Sequence, residues 1–272
     1  MKTKRLILSA AIILTFQVLA LLFFAPINKS LALEGSQIKI TILYDNYIFL
    51  KETKSGWGFS CIIQGMEKTI LFDTGTRSDI WFHNINKLKV NPKDVDLIVI
   101  SHDHPDHTGG LYSFMEKNNR VSVYVPASYS DYSVKRVEAF GAKVFSVDEH
   151  VEISGDVFLT GEIGEQSLIV NTSQGLIVIT GCSHPGIINV LEKAKMKVNG
   201  KVYLVFGGFH LMYKSDKEVK QIISDFRKLG VLKVGPTHCT GDKAIKLFKE
   251  EYGDDFVQMG VGRVIEANRL IE

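Results

Sequence analysis

The sequence has almost no net charge, few cysteines and no basic segment beyond its first residues. Lysine and arginine together number 32 against 30 acidic residues, for a formal net charge of +2. That balance gives no reason to expect a nucleic-acid partner. The three cysteines are an odd number, which does not describe a disulfide framework. The chain also lacks a visible flavin-binding segment, which argues against a flavin-dependent oxidoreductase.

The first 32 residues differ in character from the rest. A basic lead, Met1 to Arg5, precedes a run from Leu6 to Ala25 without a charged residue, and Ser30-Leu31-Ala32 resembles a cleavage site. Since about 20 apolar residues suffice to cross a bilayer, residues 1–32 are predicted to be either a signal peptide or a helical membrane anchor. The basic lead predicts an extracytoplasmic protein, membrane-anchored or secreted. No cysteine follows the run directly, which disfavours a lipoprotein.

The remainder reads as a short linker, residues 33–37, and one catalytic domain, residues 38–272. Its composition, 45% hydrophobic and 23% charged over the whole chain, is ordinary for a folded protein. Apolar runs typical of strands alternate with amphipathic segments typical of helices, and no interdomain linker interrupts them. The pattern predicts an α/β layered domain with mixed sheets.

One loop contains most of the residues that could bind a metal ion. Three histidines and two aspartates fall within residues 102–107, directly after the apolar run Leu97 to Ile100. Imidazole and carboxylate ligands at the end of a strand are typical of a zinc site, or of iron or manganese with more oxygen ligands. Such a site can activate water near neutral pH, which points to hydrolysis.

Four further turns, each after an apolar strand-like run, carry Asp73, His184, His210 and His238. Together with the 102–107 loop they hold six of the eight histidines of the chain. Because strand ends along one sheet edge collect functional groups in α/β folds, we expect these turns to converge. The other two histidines, His83 and His150, lie in no such turn and are predicted to be surface residues.

These motifs resemble the metallo-β-lactamase superfamily. His102, His104, Asp106 and His107 match its His-x-His-x-Asp-His signature, and the Asp-Thr-Gly turn at Asp73 matches as well. Residues 181–186, 207–211 and 236–241 resemble a narrower subgroup, that of the archaeal dihydropterin–ribofuranosylaminobenzene phosphate synthases. The resemblance implies a four-layer αββα sandwich, preceded here by the N-terminal hydrophobic helix, with a dinuclear metal site on one edge.

The resemblance also implies a ligand set for two divalent metal ions, zinc first, with iron or manganese as alternatives. His102, His104 and His184 would hold the first ion, and Asp106, His107 and His238 the second. Where the superfamily commonly has a bridging aspartate, this chain has Cys182, either a ligand or a buried neighbour. Asp73 is expected to orient a ligand rather than to bind metal.

The function predicted from this site is hydrolysis of an ester, lactone, amide, thioester or phosphodiester by an activated metal-bound water. Asp106 would hold metal and accept a hydrogen bond from the attacking group, and His210 would protonate the leaving group. Two alternatives stay open: a pterin–aminobenzene phosphate condensing enzyme, whose cytoplasmic substrates conflict with export, and a non-catalytic metal-dependent sensor. The expected partners are a small-molecule substrate and, through an uncleaved N-terminal segment, the membrane. No nucleic acid is expected.

Overall fold

The structure is a computed structural model, and it describes residues 37–161 and 164–270. The predicted signal peptide or membrane anchor at residues 1–32 and most of the predicted linker lie outside the described residues. Among the helices that are described, none combines the length and the apolar character needed to cross a membrane.

Seven strands form the first sheet, in the spatial order β13-β1-β2-β3-β4-β5-β6. Isoleucine alternates with polar residues from Ile38, which predicts a half-buried strand, and β1 indeed alternates exposed and buried residues at its start, with Ile38 and Ile40 buried. Strands β3 to β6 run parallel to one another, while β2 and β13 pair antiparallel with β1. The strands are β1 Gln37–Tyr44, β2 Ser60–Gln64, β3 Ile70–Phe72, β4 Leu97–Val99, β5 Ser122–Pro126, β6 Lys143–Val147 and β13 Val264–Asn268.

Six strands form the second sheet, in the order β12-β11-β10-β9-β8-β7. Strands β10, β11 and β12 are parallel neighbours, so their carboxyl ends lie side by side at one edge. The others form an antiparallel meander. The strands are β7 Val151–Ser154, β8 Val157–Leu159, β9 Leu168–Thr172, β10 Gly175–Thr180, β11 Val202–Gly208 and β12 Lys233–Thr237.

The two sheets pack face to face and helices cover their outer faces. A buried cluster from both sheets fills the middle, where the Phe59 ring lies 6.3 Å from Phe72 and 6.4 Å from Phe206. Two more buried clusters join each sheet to its helices, which completes the predicted four layers. On the first sheet lie α1 Ser78–Lys87, α3 Leu111–Met115 and α4 Asp131–Glu138; on the second lie α5 Ile187–Val198, α6 Asp216–Lys228 and α7 Asp242–Tyr252; a short helix, α2 Pro105–Thr108, follows β4.

The structure adds strands that the sequence pattern does not predict. Strands β7 and β13 are edge strands, and each has at least two exposed residues, so their apolar signal is weak. The apolar residues from Val231 predict a strand that starts there, but β12 begins only at Lys233. The sequence also predicts a helix at Ser78 with that serine as its cap; α1 does begin at Ser78, but Arg77 occupies the N-cap position and no side chain caps the helix. Hydrogen bonding to neighbouring strands, rather than local propensity, decides these boundaries.

The packing between the sheets predicts that substituting two different leucines changes the free energy of unfolding by very different amounts. Leu204 on β11 is buried between the sheets, whereas Leu232, just before β12, is 48% exposed. We expect Leu204→Ala to lower the free energy of unfolding by about 2–5 kcal/mol through the cavity it leaves. The matched Leu232→Ala should change it by no more than about 0.5 kcal/mol in the same urea titration. Equal effects would contradict the packing described.

Candidate metal centre

The predicted site residues come together at one edge of the sandwich, where both sheets contribute strand ends. Asp73 follows β3, and the histidine-rich loop follows β4 of the first sheet. Cys182 and His184 follow β10 of the second sheet, and His238 follows β12. The prediction that these turns converge is therefore confirmed.

Three imidazoles form a first group: His102, His104 and His184. One nitrogen of each lies within 4.8 Å of the others, and the facing atoms Nε2 of His102 and Nδ1 of His104 are 3.0 Å apart. The His184 ring centroid lies 4.8 Å from that of His102 and 5.0 Å from that of His104. His102 is buried, while His104 and His184 are exposed at the surface of the edge. Three imidazole ligands with an open side could hold a divalent cation.

Asp106, His107, Cys182 and His238 form a second group of ligand atoms. The Cys182 Sγ lies 3.3 Å from Nε2 of His107 and 3.4 Å from Nε2 of His238. The Asp106 Oδ2 lies 3.2 Å from Nε2 of His238 and 3.6 Å from Nε2 of His107. Two nitrogens, one sulfur and one oxygen around a common point suit zinc. Of the two alternatives for Cys182, a ligand or a buried neighbour, its position among these atoms favours the ligand.

The two groups lie next to each other. The ring centroids of His102 and His107 are 4.2 Å apart, and these residues belong to different groups. A pair of cations could therefore sit side by side, one in each group, as the resemblance to a dinuclear site implies.

The Asp-Thr-Gly turn holds the histidine-rich loop in place. Helix α2 has Pro105 at its first position, where a missing N–H costs nothing, and it carries Asp106 and His107 in one turn. The backbone N–H and the hydroxyl of Thr74 both donate to the His107 carbonyl, at 2.8 and 3.0 Å. This contact joins the ends of β3 and β4.

Strained backbone is concentrated at this edge. Asp73, Ser183, His210 and His238 have φ values of 54°, 65°, 53° and 49°, in the left-handed region that residues other than glycine rarely adopt. Each such residue costs on the order of 1–3 kcal/mol and persists only where surrounding contacts require it. Four such residues at one edge indicate that the loop conformations there are set by the directions their side chains must take.

Asp73 orients His107, as the sequence predicts. It is fully buried, and its carboxylate accepts from the backbone N–H of Ser101, from the Ser101 hydroxyl and from His107 Nδ1, all at 2.7 Å. Burial raises the pKa of Asp73, against the charge and hydrogen bonds of His107 and Ser101. Because Nδ1 donates to Asp73, Nε2 of His107 points to the candidate cation.

Glu165 has the same role for His184, and the sequence gives no signal of it. Its buried carboxylate accepts from the backbone N–H groups of Cys182, Ser183 and His184, at 2.9, 2.6 and 2.8 Å, and from His184 Nδ1 at 2.7 Å. Although burial acts to raise its pKa, hydrogen bonding by His184 and the backbone lowers it to about 2. Glu165 lies in the loop between β8 and β9, remote from every motif in sequence.

Asn46 holds His238 and could have been found from the sequence. Its Oδ1 lies 3.1 Å from His238 Nδ1, and its Nδ2 donates to the His238 carbonyl at 3.3 Å. The preceding Asp45 is buried, accepts from the Thr237 hydroxyl, and has a pKa raised to about 7 by burial. Both follow β1 directly, so the strand-end rule that selects Asp73 also selects them.

The donor chemistry fits divalent cations. Burial, and then the neighbouring His107, lower the pKa of His102 to about 2, so this imidazole is neutral and has a lone pair for a cation. Hydrogen bonds from His238 and the charge of His107 outweigh burial and lower the pKa of Asp106, which stays ionised. Each candidate group thus contains one ligand in its deprotonated form, His102 in the first and Asp106 in the second, and hydrogen-bond acceptors lie behind its rings, as in metal sites.

The remaining predicted residues separate into two sets. His210 lies at the edge, exposed, with its ring centroid 4.5 Å from that of His184. Asp103 is exposed beside the first group. His83 and His150 belong to no ligand group among the described residues: His83 Nε2 lies 2.9 Å from the Glu52 carbonyl oxygen, and the His150 ring stacks on another aromatic ring. Both are half-buried rather than fully on the surface.

Two cavities flank His184. One, of about 360 Å³, opens over the first group and includes Ser128 and Glu165 in its lining. The other, of about 310 Å³, extends past His210 toward Lys214 and is otherwise largely apolar. On the opposite side of the edge, Trp57 is 48% exposed and its ring lies 5.0 Å from that of His238. The candidate centre is therefore open to a small molecule.

Comparison with known proteins agrees with this geometry. The model of the metallo-beta-lactamase superfamily matches residues 58–143, which contain the Asp-Thr-Gly turn and the histidine-rich loop. The 7,8-dihydropterin-6-methyl-4-(beta-D-ribofuranosyl)-aminobenzene-5'-phosphate synthase of Methanocaldococcus jannaschii is 30% identical, over 84% of this chain and 96% of its own. The chain belongs to the metallo-beta-lactamase superfamily.

Solved structures of this superfamily extend the match to the whole described fold. Tm1679, a metal-dependent hydrolase of the beta-lactamase superfamily, superposes with a TM-score of 0.73 at 32% identity, covering 85% of this chain and 99% of its own. YhfI from Bacillus subtilis, with a TM-score of 0.60 and 13% identity over 85% of this chain and all of its own, shares the fold. The predicted superfamily and its mixed α/β class with two sheets are confirmed.

The prediction of an extracytoplasmic protein, membrane-anchored or secreted, is corrected by these findings. Neither the synthase nor Tm1679, both matched over nearly their whole length, is named as a membrane or secreted protein. No helix of residues 37–161 and 164–270 could cross a membrane. An apolar run after a basic lead is a compositional signal, and hydrophobicity alone does not establish export.

The contacts of Glu165 predict that Glu165→Gln weakens zinc binding about 10–100-fold, the range typical for residues that orient a ligand. Glutamine keeps one acceptor oxygen, but its amide NH2 group replaces the other and cannot accept from the N–H groups that donate to Glu165. Competition with a chromophoric chelator measures the affinity. The exposed Glu116→Gln is the matched control and should bind zinc as the wild type does. Unchanged affinity in Glu165→Gln would contradict the orienting role.

Proposed function

We propose that this protein is a metal-dependent hydrolase that uses two divalent cations, with zinc as the first choice. The observation that carries the proposal is the pair of adjacent ligand groups, one of three imidazoles and one of Asp106, His107, Cys182 and His238. Each group contains one deprotonated ligand, His102 or Asp106, and three of the histidines have a ring oriented by a hydrogen bond. Membership in the superfamily and likeness to a metal-dependent hydrolase support the same assignment.

The cations, when bound, would lower the pKa of a coordinated water and polarise the bond to be cleaved. The protein residues would do the rest. Asp106 directs Oδ2 toward His107 and His238, so its second carboxylate oxygen is the one that can accept a hydrogen bond from the attacking water. His102 and His104 would hold the neighbouring cation, since their facing ring nitrogens are 3.0 Å apart.

His210 is placed to donate a proton to the leaving group. It lies beside His184 at the open edge, and it is not a member of either of the two main ligand groups. Its exposure allows exchange of the proton with solvent after each turnover. Trp57 next to His238 gives the edge an apolar surface against which an uncharged part of the substrate can pack.

Metal content and turnover test this proposal together. The full-length chain should bind at least about two zinc ions, and a panel of ester, lactone, amide, thioester and phosphodiester substrates should contain one class that is hydrolysed. We expect Asp106→Asn and His104→Ala to reduce that turnover by at least about 100-fold, the upper range for residues that only orient ligands.

His83→Ala is the matched histidine control, since His83 lies outside the ligand groups. It should leave both metal content and turnover unchanged. A protein with at most one bound metal, unaltered by His104→Ala, would refute the dinuclear assignment. Bound metal without hydrolysis in any class, and without the condensation described below, would instead favour a metal-dependent sensor.

A second candidate function is condensation of a dihydropterin with a ribofuranosylaminobenzene phosphate. The observation that favours it is the 30% identity to the Methanocaldococcus jannaschii synthase across 96% of that protein. The objection from export no longer applies, because the extracytoplasmic prediction is corrected above. The same metal centre could polarise a phosphate-bearing substrate for group transfer as well as for hydrolysis.

Mass spectrometry separates the two candidates. The metal-loaded protein is incubated with a reduced pterin bearing a leaving group and with ribofuranosylaminobenzene phosphate, beside the hydrolysis panel. Under the proposed hydrolase function we expect no joined product and turnover of a panel substrate. A joined product that disappears in Asp106→Asn, with no panel turnover, would reassign the protein to condensation.

A further inference from the structure

We propose that Cys182, His210 and Cys239 form a third cation site, rich in sulfur, beside the two groups already described. The three residues follow β10, β11 and β12, which are parallel neighbours in the second sheet. The two Sγ atoms and one imidazole nitrogen all lie within 4.8 Å of one another. This inference goes beyond the proposed function, which uses neither Cys239 nor a third ion.

The two thiols are inside the protein and the imidazole is at its surface. Cys182 and Cys239 are each only 3% exposed, whereas His210 is exposed. The two sulfur ligands are therefore buried, and the site is open to solvent on the side of His210, where a cation can enter. Two buried thiols without a cation have only weak hydrogen bonds, such as that from Cys239 Sγ to the Cys182 carbonyl at 3.6 Å.

The backbone next to the thiols leaves space for the Cys239 sulfur because residue 208 is a glycine. A Cβ on Gly208 would lie 2.5 Å from the Cys239 Sγ, so only glycine leaves room for that sulfur. Hydrogen bonds then tie the three loops together: the Ser183 hydroxyl donates to the Gly208 carbonyl at 2.8 Å, and the Phe209 N–H donates to the Thr240 hydroxyl at 3.0 Å. Ligands on loops tied in this way are held before a cation arrives.

The donor set selects the class of cation. Two thiolates and one imidazole suit soft or borderline ions such as zinc or cadmium, and they leave a fourth position for water or another ligand. Cys182 Sγ also faces His107 and His238, at 3.3 and 3.4 Å, so its thiolate can be shared between the second group and this one. A Cys182–Cys239 disulfide would instead draw this sulfur away from both imidazoles.

Cadmium titration of the full-length, reduced protein tests the site, because each cadmium–thiolate bond adds ultraviolet charge-transfer absorption. The wild type should bind about three cadmium ions, with absorption from two thiolates. Cys239→Ala should bind about two, with roughly half that absorption, and His210→Ala should lose the third ion while keeping part of the sulfur signal. Cys61→Ala is the matched control: this buried cysteine lies in the core between the sheets and should change neither quantity.

Zinc X-ray absorption of the wild type gives a second measurement that does not depend on the variants folding. Zinc-loaded protein should show sulfur ligation by two different cysteines. One sulfur ligand only, or a Cys239→Ala protein with wild-type cadmium content and absorption, would overturn the third site, as would a Cys182–Cys239 disulfide that persists in metal-loaded protein. Because none of these readouts uses turnover, failure of the hydrolase assignment leaves this test unaffected.

Discussion

Hydrogen bonds to imidazole Nδ1 atoms are the contacts on which the candidate metal centre depends. A histidine has two ring nitrogens, and an acceptor on one directs the other toward a cation. The acceptors here are themselves held, two of them as buried carboxylates with several donors each. The pairs are His107 with Asp73, His184 with Glu165, and His238 with Asn46.

A buried carboxylate is costly unless its oxygens are fully hydrogen-bonded, and this cost links the site to the fold. Glu165 ties the loop between β8 and β9 to the loop after β10, through three backbone N–H groups. Asp73 ties the ends of β3 and β4 through Ser101. The same contacts that orient the rings therefore also fix the loops, which accounts for the tolerance of left-handed backbone at this edge.

The sulfur chemistry of the site distinguishes it from a centre built of histidine and carboxylate alone. Cys182 lies between the second ligand group and the pair Cys239 and His210, so one thiolate can serve two cations. If His210 holds a third ion, it is not at the same moment free to donate a proton.

The sequence alone determined the superfamily, the mixed α/β class and most of the residues of the two candidate ligand groups. It could do so because ligands follow strand ends, and strand ends are marked by an apolar run that stops at a polar turn. The residues of the 102–107 loop are also adjacent in sequence, so their proximity in the structure needs no knowledge of the fold. The same rule, applied to the end of β1, would have added Asn46.

Only the tertiary structure decided which distant residues complete the site. Glu165 has no motif around it, and its role exists because the loop between β8 and β9 passes under the backbone of residues 182–184. The grouping of Cys239 with Cys182 likewise depends on the adjacency of β10, β11 and β12 and on the space over Gly208. Contacts between residues far apart in sequence follow from sheet order and packing, which local patterns do not encode.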